Sequence, residues 1–512
     1  MNGAHSLVRT LLNQGVDTCF ANPGTSEMHF VAALDQIDGM RCVLGLQENV
    51  VTGMADGYAR IAGKPACTLL HCGPGLANGL ANLHNARRAR AAIVNIVGDQ
   101  ATYHRPHDAP LTMDTSSLAH TVSGFVRASA CAADVGRDAA TATQAARALP
   151  GQVATLILPS DTCWNEGGIV ADALPALPGA PLDPHAVETA ARMLRNGRET
   201  LILLGGAGLL QPAQELAWRV AQATGATLMA DFVCGQVARG RGRVPLARVP
   251  YVAEAARAAL ERFEQIILVA AKPPVSFFAY PGQPSIEYRA EAELQTLARG
   301  DQDVVVALQA LVDALGAPQV AMPDPGPRPE VAHGAPTPEG LARTVAALMP
   351  ENTILCEEAI SYSRGLYDET YAAPAHDMLH LAGGAIGDGM PVATGAAVAG
   401  AGRRVINLQA DGSAMYTIQS LWTQARERLP VTTVILNNRQ YAILLGEYAN
   451  VGATPGETAM QMLDLGNPDL GWIKLANGMG VEAARAETLD ELADLMQASF
   501  ERDGPFLIEL MI

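Results

Sequence analysis

The chain has 512 residues, which at roughly 150 per domain suggests about three domains. With 49% apolar and 17% charged residues it can bury sizeable cores, which excludes a disordered chain. Lys and Arg number 35 and Asp and Glu 52, so 35 − 52 = −17; with only 5% aromatic residues, this excludes a general nucleic-acid binder, which needs cationic surface and stacking platforms.

The opening MNGAHSLVRTLLNQGVD has no long apolar core, so no secretory signal is read. No run reaches ~18 apolar residues, so no membrane span is expected. Eight scattered cysteines with no CxxC pair fit reduced thiols in a cytoplasmic protein, and the paired spacing of a structural zinc site is missing. SLVRTLLNQG reads as helix, DTCFANPG as a short strand into a turn, and VVTGMADGYARIAG as helix. ACTLLHCGPG reads as a strand into a Gly-rich turn, ANGLANLHNARRAR as helix, and AAIVNIVGD and VATLILPSD as buried strands. Such alternation predicts a parallel sheet covered by helices on both faces. A Pro-rich stretch near 173–184 reads as a linker. PHAVETAARMLRNG, ETLILLGGAG, ATLMADF and QIILVAA then give a second helix-and-strand block. A second Pro-rich stretch spans about 322–338, and a third block runs from GLARTVAALMP through VINLQADGS and VTTVILNN to PFLIELMI. We therefore expect three doubly wound α/β domains, at 1–172, 183–320 and 335–512.

The third block carries the strongest chemical pattern. One buried strand ends in Ala410-Asp411-Gly412-Ser413 and the next in Asn437-Asn438, and 438 − 411 = 27 positions fit one crossover between parallel strands. Both Asp411 and Asn438 then fall at the carboxyl ends of strands, where open α/β sheets bind ligands. A carboxylate and an amide oxygen suit Mg²⁺, which commonly shares its shell with phosphate. Gly412 permits close backbone approach, and Ser413 opens a helix whose N–H groups favour an anion. Either half alone is an ordinary turn; the two together, at this spacing, indicate a site.

This pattern resembles the thiamine-diphosphate motif, GDG followed by one crossover and NN, with Ala410 in place of the first glycine. The resemblance extends to Asn22-Pro23-Gly24-Thr25-Ser26-Glu27, Leu46-Gln47-Glu48-Asn49, Ala55-Asp56-Gly57-Tyr58-Ala59, and Gly73-Pro74-Gly75 leading to Asn78. These segments look like the pyrimidine-binding domain of benzoylformate decarboxylase and acetolactate synthase relatives. Their order of pyrimidine-binding, central and diphosphate-binding domains matches the three blocks.

The resemblance implies thiamine diphosphate and Mg²⁺ as cofactors. It makes Glu48 the carboxyl group that activates the aminopyrimidine and so generates the carbon nucleophile. It makes Asp411, Asn438 and the backbone carbonyl of Gln440 the metal ligands. Pro23, Asn78, Ser361, Gly412, Ser413 and Tyr441 become cofactor contacts, and Ile386 the apolar support of the bent cofactor. His71 and Thr25 take the places of a catalytic histidine and a substrate-contacting serine. A second catalytic histidine has no equivalent between Ala230 and Pro250, and His104, His107 and His380 are the remaining candidates. LLGGAG lacks GxGxxG and flavin-binding segments are not found, so obligatory FAD is not expected. The implied activity is cleavage or formation of the bond beside a 2-oxo group, with release of an aldehyde or an acyloin. Acetolactate synthesis from two pyruvates and an inactive cofactor-binding regulatory paralogue are the rival readings. The expected partners are a small 2-oxo acid, an aldehyde or ketone acceptor, and further copies of the chain in a dimer or tetramer.

Overall fold

The computed structural model describes residues 1–363 and 365–512. The first third holds strands β1 (Thr18–Ala21), β2 (Arg41–Leu44), β3 (Ala66–Leu70), β4 (Ile93–Asp99), β5 (Phe125–Ala128) and β6 (Val153–Pro159). They form one parallel sheet in the order β2-β1-β3-β4-β6-β5. β3, β4 and β6 are buried along their whole length, as strands covered on both faces must be.

The middle of the chain supplies β7 (Thr200–Leu204), β8 (Thr227–Ala230), β9 (Gln236–Arg239), β10 (Ala247–Arg248), β11 (Gln265–Val269) and β12 (Glu293–Ala298). Five of these make the second parallel sheet, β10-β8-β7-β11-β12. β9 leaves it and pairs antiparallel with β14 (His376–His380) in the third sheet. That sheet adds β13 (Ile354–Glu358), β15 (Val405–Ala410), β16 (Val431–Asn437), β17 (Glu482–Ala486) and β18 (Phe506–Met511). Its order is β17-β18-β16-β15-β13-β14-β9, parallel except for the β9 edge.

Two expectations need correction. Gly73-Pro74-Gly75 is not a turn but the first turn of the helix Cys72–Ala89. The first N–H groups of a helix have no partner inside it, so Pro74 forfeits no hydrogen bond there. The helix expected to open at Ser413 is a single turn, Asp411–Ala414, too short for a substantial dipole.

The first and third sheets meet through two buried helices, Glu48–Ala62 and Gly389–Ala399. The Gln47 side chain accepts from the N–H groups of Asn49 and Val50 and starts the first helix, and Gly63, at φ +62°, ends it. A Cβ on Gly57 would stand 2.0 Å from the Val392 carbonyl oxygen, and one on Gly395 1.8 Å from that of Met54. The two backbones therefore touch, which only glycine allows.

A buried charge cluster secures this junction. Arg60 Nε donates to Asp56 Oδ1 at 2.8 Å, and its Nη1 donates to the carbonyls of His380 (2.9 Å) and Gly235 (3.2 Å). One guanidinium thus joins all three segments. Burial pushes Asp56 up against the opposing pull of Arg60, and burial with nearby Asp56 pushes Asp388 well up. All eight cysteines are free, and among the described residues no helix is long and apolar enough to cross a membrane.

Candidate cofactor and catalytic site

β15 and β16 are adjacent and parallel, so Asp411 and Asn438 stand at neighbouring carboxyl ends. They line one cleft together with Ile386, Ser361, Gly412, Ser413, Gln440 and Tyr441. Asp411 is 2% exposed. Its Oδ1 accepts from Gly412 N–H at 2.8 Å and its Oδ2 from Arg439 N–H at 2.7 Å. Burial raises its pKa, and the groups that oppose this are backbone N–H donors. A buried carboxylate offset only by amide dipoles suits a divalent cation, which would supply the missing positive charge. The donor set therefore fits Mg²⁺.

The wall opposite is built from the ends of β13 and β14. Ile360 holds φ +55°, an uncommon state for a β-branched residue, and lines the cleft with Ser361. Glu357 fixes this loop: its Oε1 accepts from Ser363 Oγ at 2.6 Å and from Ala359 N–H at 3.0 Å. Gly412 serves a packing need as well, since a Cβ there would lie 2.4 Å from the Tyr441 ring. Ser413 Oγ donates to the Ala410 carbonyl and accepts from Gln409 Nε2.

The turn that carries Ile386 hangs from a residue the sequence reading overlooked. Glu358 accepts from the N–H groups of Gly387 (2.7 Å), Asp388 (3.0 Å) and Gly389, and from Gln409 Nε2 (3.0 Å). Burial pushes its carboxyl up to about 7 despite these donors. Four donors converging on one carboxyl group hold the turn in a single geometry.

The first segment places its candidates elsewhere. Glu48 opens the buried helix Glu48–Ala62, and Asn78 Nδ2 donates to its Oε2 at 3.1 Å. His71, after β3, has Nδ1 2.9 Å from Glu27 Oε2 and 3.2 Å from Ser26 Oγ. Glu27, also missed, is buried and accepts from Gly24 N–H at 2.8 Å. Thr25 and Pro23 are exposed beside it. Glu27, His71 and Cys72 cluster closely enough to bind a metal, but burial, with Glu27 and Asp99 nearby, pushes the Cys72 thiol up to about 11. Glu48, Asn78, Thr25, Pro23 and His71 do not line the cleft that holds Asp411.

The remaining histidines separate clearly. His104 and His107 are exposed on the loop after β4. His380 is buried, 3.3 Å from Glu357 Oε2 through Nδ1 and within 3.0–3.4 Å of Arg248 Nη1. Burial and Arg248 lower its pKa to about 4, so it is neutral near pH 7. Burial opposes the Glu357 charge, but His380, Arg248 and Ser363 outweigh it and hold that carboxyl down to about 2. Arg248 comes from the histidine-free segment between Ala230 and Pro250.

Comparison with known proteins agrees with this layout. Residues 1–118 match the thiamine pyrophosphate enzyme N-terminal TPP binding domain, and residues 367–510 match the C-terminal TPP binding domain. The Mycobacterium tuberculosis H37Rv protein IlvX, named as a candidate acetolactate synthase large subunit, is 49% identical over all of this chain and 99% of its own. A Pseudomonas aeruginosa benzoylformate decarboxylase is 29% identical over 100% of this chain and 99% of its own. The solved structure of the Rhodococcus jostii RHA1 thiamine diphosphate-dependent 4-hydroxybenzoylformate decarboxylase superposes with a TM-score of 0.85 at 25% identity, covering 99% of this chain and 98% of that one. With end-to-end similarity of this kind and both binding-domain models matched, the chain belongs to the thiamine pyrophosphate enzyme family.

Proposed function

We propose that the protein binds thiamine diphosphate and Mg²⁺ and removes CO₂ from a 2-oxo acid, handing the remaining acyl fragment to a proton or to a second carbonyl compound. The observation that carries this is the cleft that brings Asp411, Asn438 and Ile386 together at neighbouring strand ends. When bound, the cofactor supplies the carbon nucleophile and electron sink that such a cleavage needs. Asp411, Asn438 and the Gln440 carbonyl hold the metal. Ser361, Gly412, Ser413 and Tyr441 would contact the diphosphate, and Ile386, on the turn held by Glu358, would support the cofactor from its apolar side. Glu48, oriented by Asn78, would hold a proton at the aminopyrimidine N1′, and Pro23 would be a further cofactor contact. Glu27 engages His71 Nδ1 and leaves Nε2 for the substrate carboxylate, beside Thr25.

The resemblance to thiamine-diphosphate enzymes implies that the working site takes Glu48 from one subunit and Asp411 from another, and within one chain Glu48 is not among the residues lining the Asp411 cleft. A homodimer, or a tetramer of two such pairs, is the assembly. A flavin has no role in this reading. A second reading, condensation of two pyruvates, rests on the name of the M. tuberculosis relative.

The test is CO₂ release from a panel of 2-oxo acids by protein loaded with cofactor and Mg²⁺. Glu48→Gln should abolish it while leaving cofactor binding measurable by calorimetry. An E48Q protein that still turns over would refute the role given to Glu48, whereas no CO₂ from any 2-oxo acid by the loaded wild type would favour a regulatory paralogue.

A further inference from the structure

One corner of the first sheet gathers more ligand chemistry than the proposed reaction uses. β1, β3 and β4 are neighbours in that parallel sheet. Glu27 follows β1, His71 and Cys72 follow β3, and Gly98 lies near the end of β4, so all stand at the carboxyl edge where such sheets take ligands. One donor atom from each of Glu27, His71 and Cys72 lies within 4.8 Å of the other two. Ser26 Oγ sits among them, 3.2 Å from His71 Nδ1 and 3.2 Å from Cys72 Sγ, and it donates to Glu27 Oε1.

The backbone makes room for this cluster. A Cβ on Gly24 would collide with the His71 ring, and one on Gly98 with Glu27 Oε1. Glu27 and Cys72 are 3% and 1% exposed, while the His71 side chain keeps 22% open as a way in. Metal bonds of about 2.0–2.3 Å in a tetrahedron set the ligand atoms about 3.3–3.6 Å apart. His71 Nδ1 is already 2.9 Å from Glu27 Oε2, so an ion enters with shifts of a few tenths of an ångström on that edge.

The donor set selects the ion. Carboxylate, imidazole and thiolate together suit Zn²⁺ or Co²⁺, whereas Mg²⁺ takes oxygen ligands. One carboxylate and one thiolate balance two positive charges, so the filled site is neutral, as a buried site must be. Glu27 and Asp99 lie close enough to push the Cys72 thiol up, and the same negative field attracts a cation. The entering ion displaces the thiol proton to water.

We propose that Glu27, His71 and Cys72 form a zinc site, with Ser26 at its fourth corner, and that zinc bound there blocks the substrate side of the enzyme. The metal site stands on its own geometry. The block rests on the function proposed above, in which His71 meets the substrate carboxylate. With zinc on Nδ1 the ring cannot carry a proton on both nitrogens, so it loses the cationic form that would face an anion. The ion also takes the place of the Glu27 hydrogen bond that orients the ring.

Two measurements test the proposal. Co²⁺ titrated into the full chain, without thiamine diphosphate, should give a near-ultraviolet thiolate-to-cobalt band that saturates at one ion per chain and is bleached by Zn²⁺. Cys72→Ser should lose the band. Glu27→Gln, which keeps the thiol, should weaken the ion more than about 100-fold, beyond the roughly 10–100-fold that groups one step removed from a metal cost. No band overturns the site, as does the same band in C72S, which would place the ion on exposed Cys42 or Cys131. Unchanged affinity in E27Q overturns it too. In the loaded enzyme at saturating Mg²⁺, Zn²⁺ should raise KM for the 2-oxo acid more than it lowers kcat. C72S should need more than about 100-fold more Zn²⁺ for the same effect, each protein being scored against its own zinc-free rate. Equal zinc sensitivity of wild type and C72S overturns the block. No CO₂ from any 2-oxo acid without zinc overturns the function proposed above, and the cobalt band then decides the metal site by itself.

Discussion

Gly57→Ala probes the contact between the two buried helices. The added methyl would stand 2.0 Å from the Val392 carbonyl oxygen, where about 3.3 Å is the ordinary carbon–oxygen approach, so one helix must move by about 1.3 Å. The obstacle is backbone, and no side-chain rotation relieves it. Overpacking of this kind costs about 1–3 kcal/mol. Alanine also favours a helix over glycine by ~1 kcal/mol wherever it is placed, so the control is Gly446→Ala, in an exposed helix with open space around it. In parallel thermal scans at one rate, G57A should melt about 2–12 °C below G446A. Because Glu48 begins the same helix, kcat should fall as well, by up to ~100-fold for a displacement near 1 Å. Equal melting of the two variants would refute the backbone contact. A lower midpoint with unchanged kcat would refute the coupling to Glu48.

Glu358→Gln should change how stability depends on pH. The wild-type carboxyl sits near 7 against an ordinary 4.5, so the folded state binds its proton more tightly than the unfolded state. That stabilisation is complete below 4.5 and is lost as pH rises through 7, about 3 kcal/mol in all. His376 and His380, both lowered to about 4, act the opposite way over the same range, so the quantity to measure is variant minus wild type by thermal scans from pH 4.5 to 8. A flat difference would contradict the assignment. Mixing E48Q with Asp411→Asn subunits tests the shared site: random hybrid dimers carry one intact site each and should recover about a quarter of wild-type activity. No recovery would place Glu48 and Asp411 in one subunit.

Local pattern explains what the sequence disclosed. Asp411 and Asn438 were legible because a crossover has a narrow length and both residues end buried strands. Ile386 was placed through its motif, but the carboxyl that anchors its turn was not, because Glu358 lies 28 positions upstream and meets it only across the sheet. Arg248 escaped notice for a similar reason: it reaches His380 over 132 positions. Glu27 stood in plain view inside Thr25-Ser26-Glu27, yet its burial against His71 depends on the return of β3 beside β1.

The β9 crossing bears on how this molecule could ever be divided. His376 to Leu379 of β14 pair with Arg239 to Gln236, a run borrowed from the middle of the chain. Excising the middle third would uncover an outer strand whose backbone donors and acceptors have lost their mates, a template for sticking to other chains. The third block is therefore not a freestanding module to be grafted or expressed alone. A shortened version would need a substitute strand, or a proline or lysine on the bared edge, before it could remain dispersed.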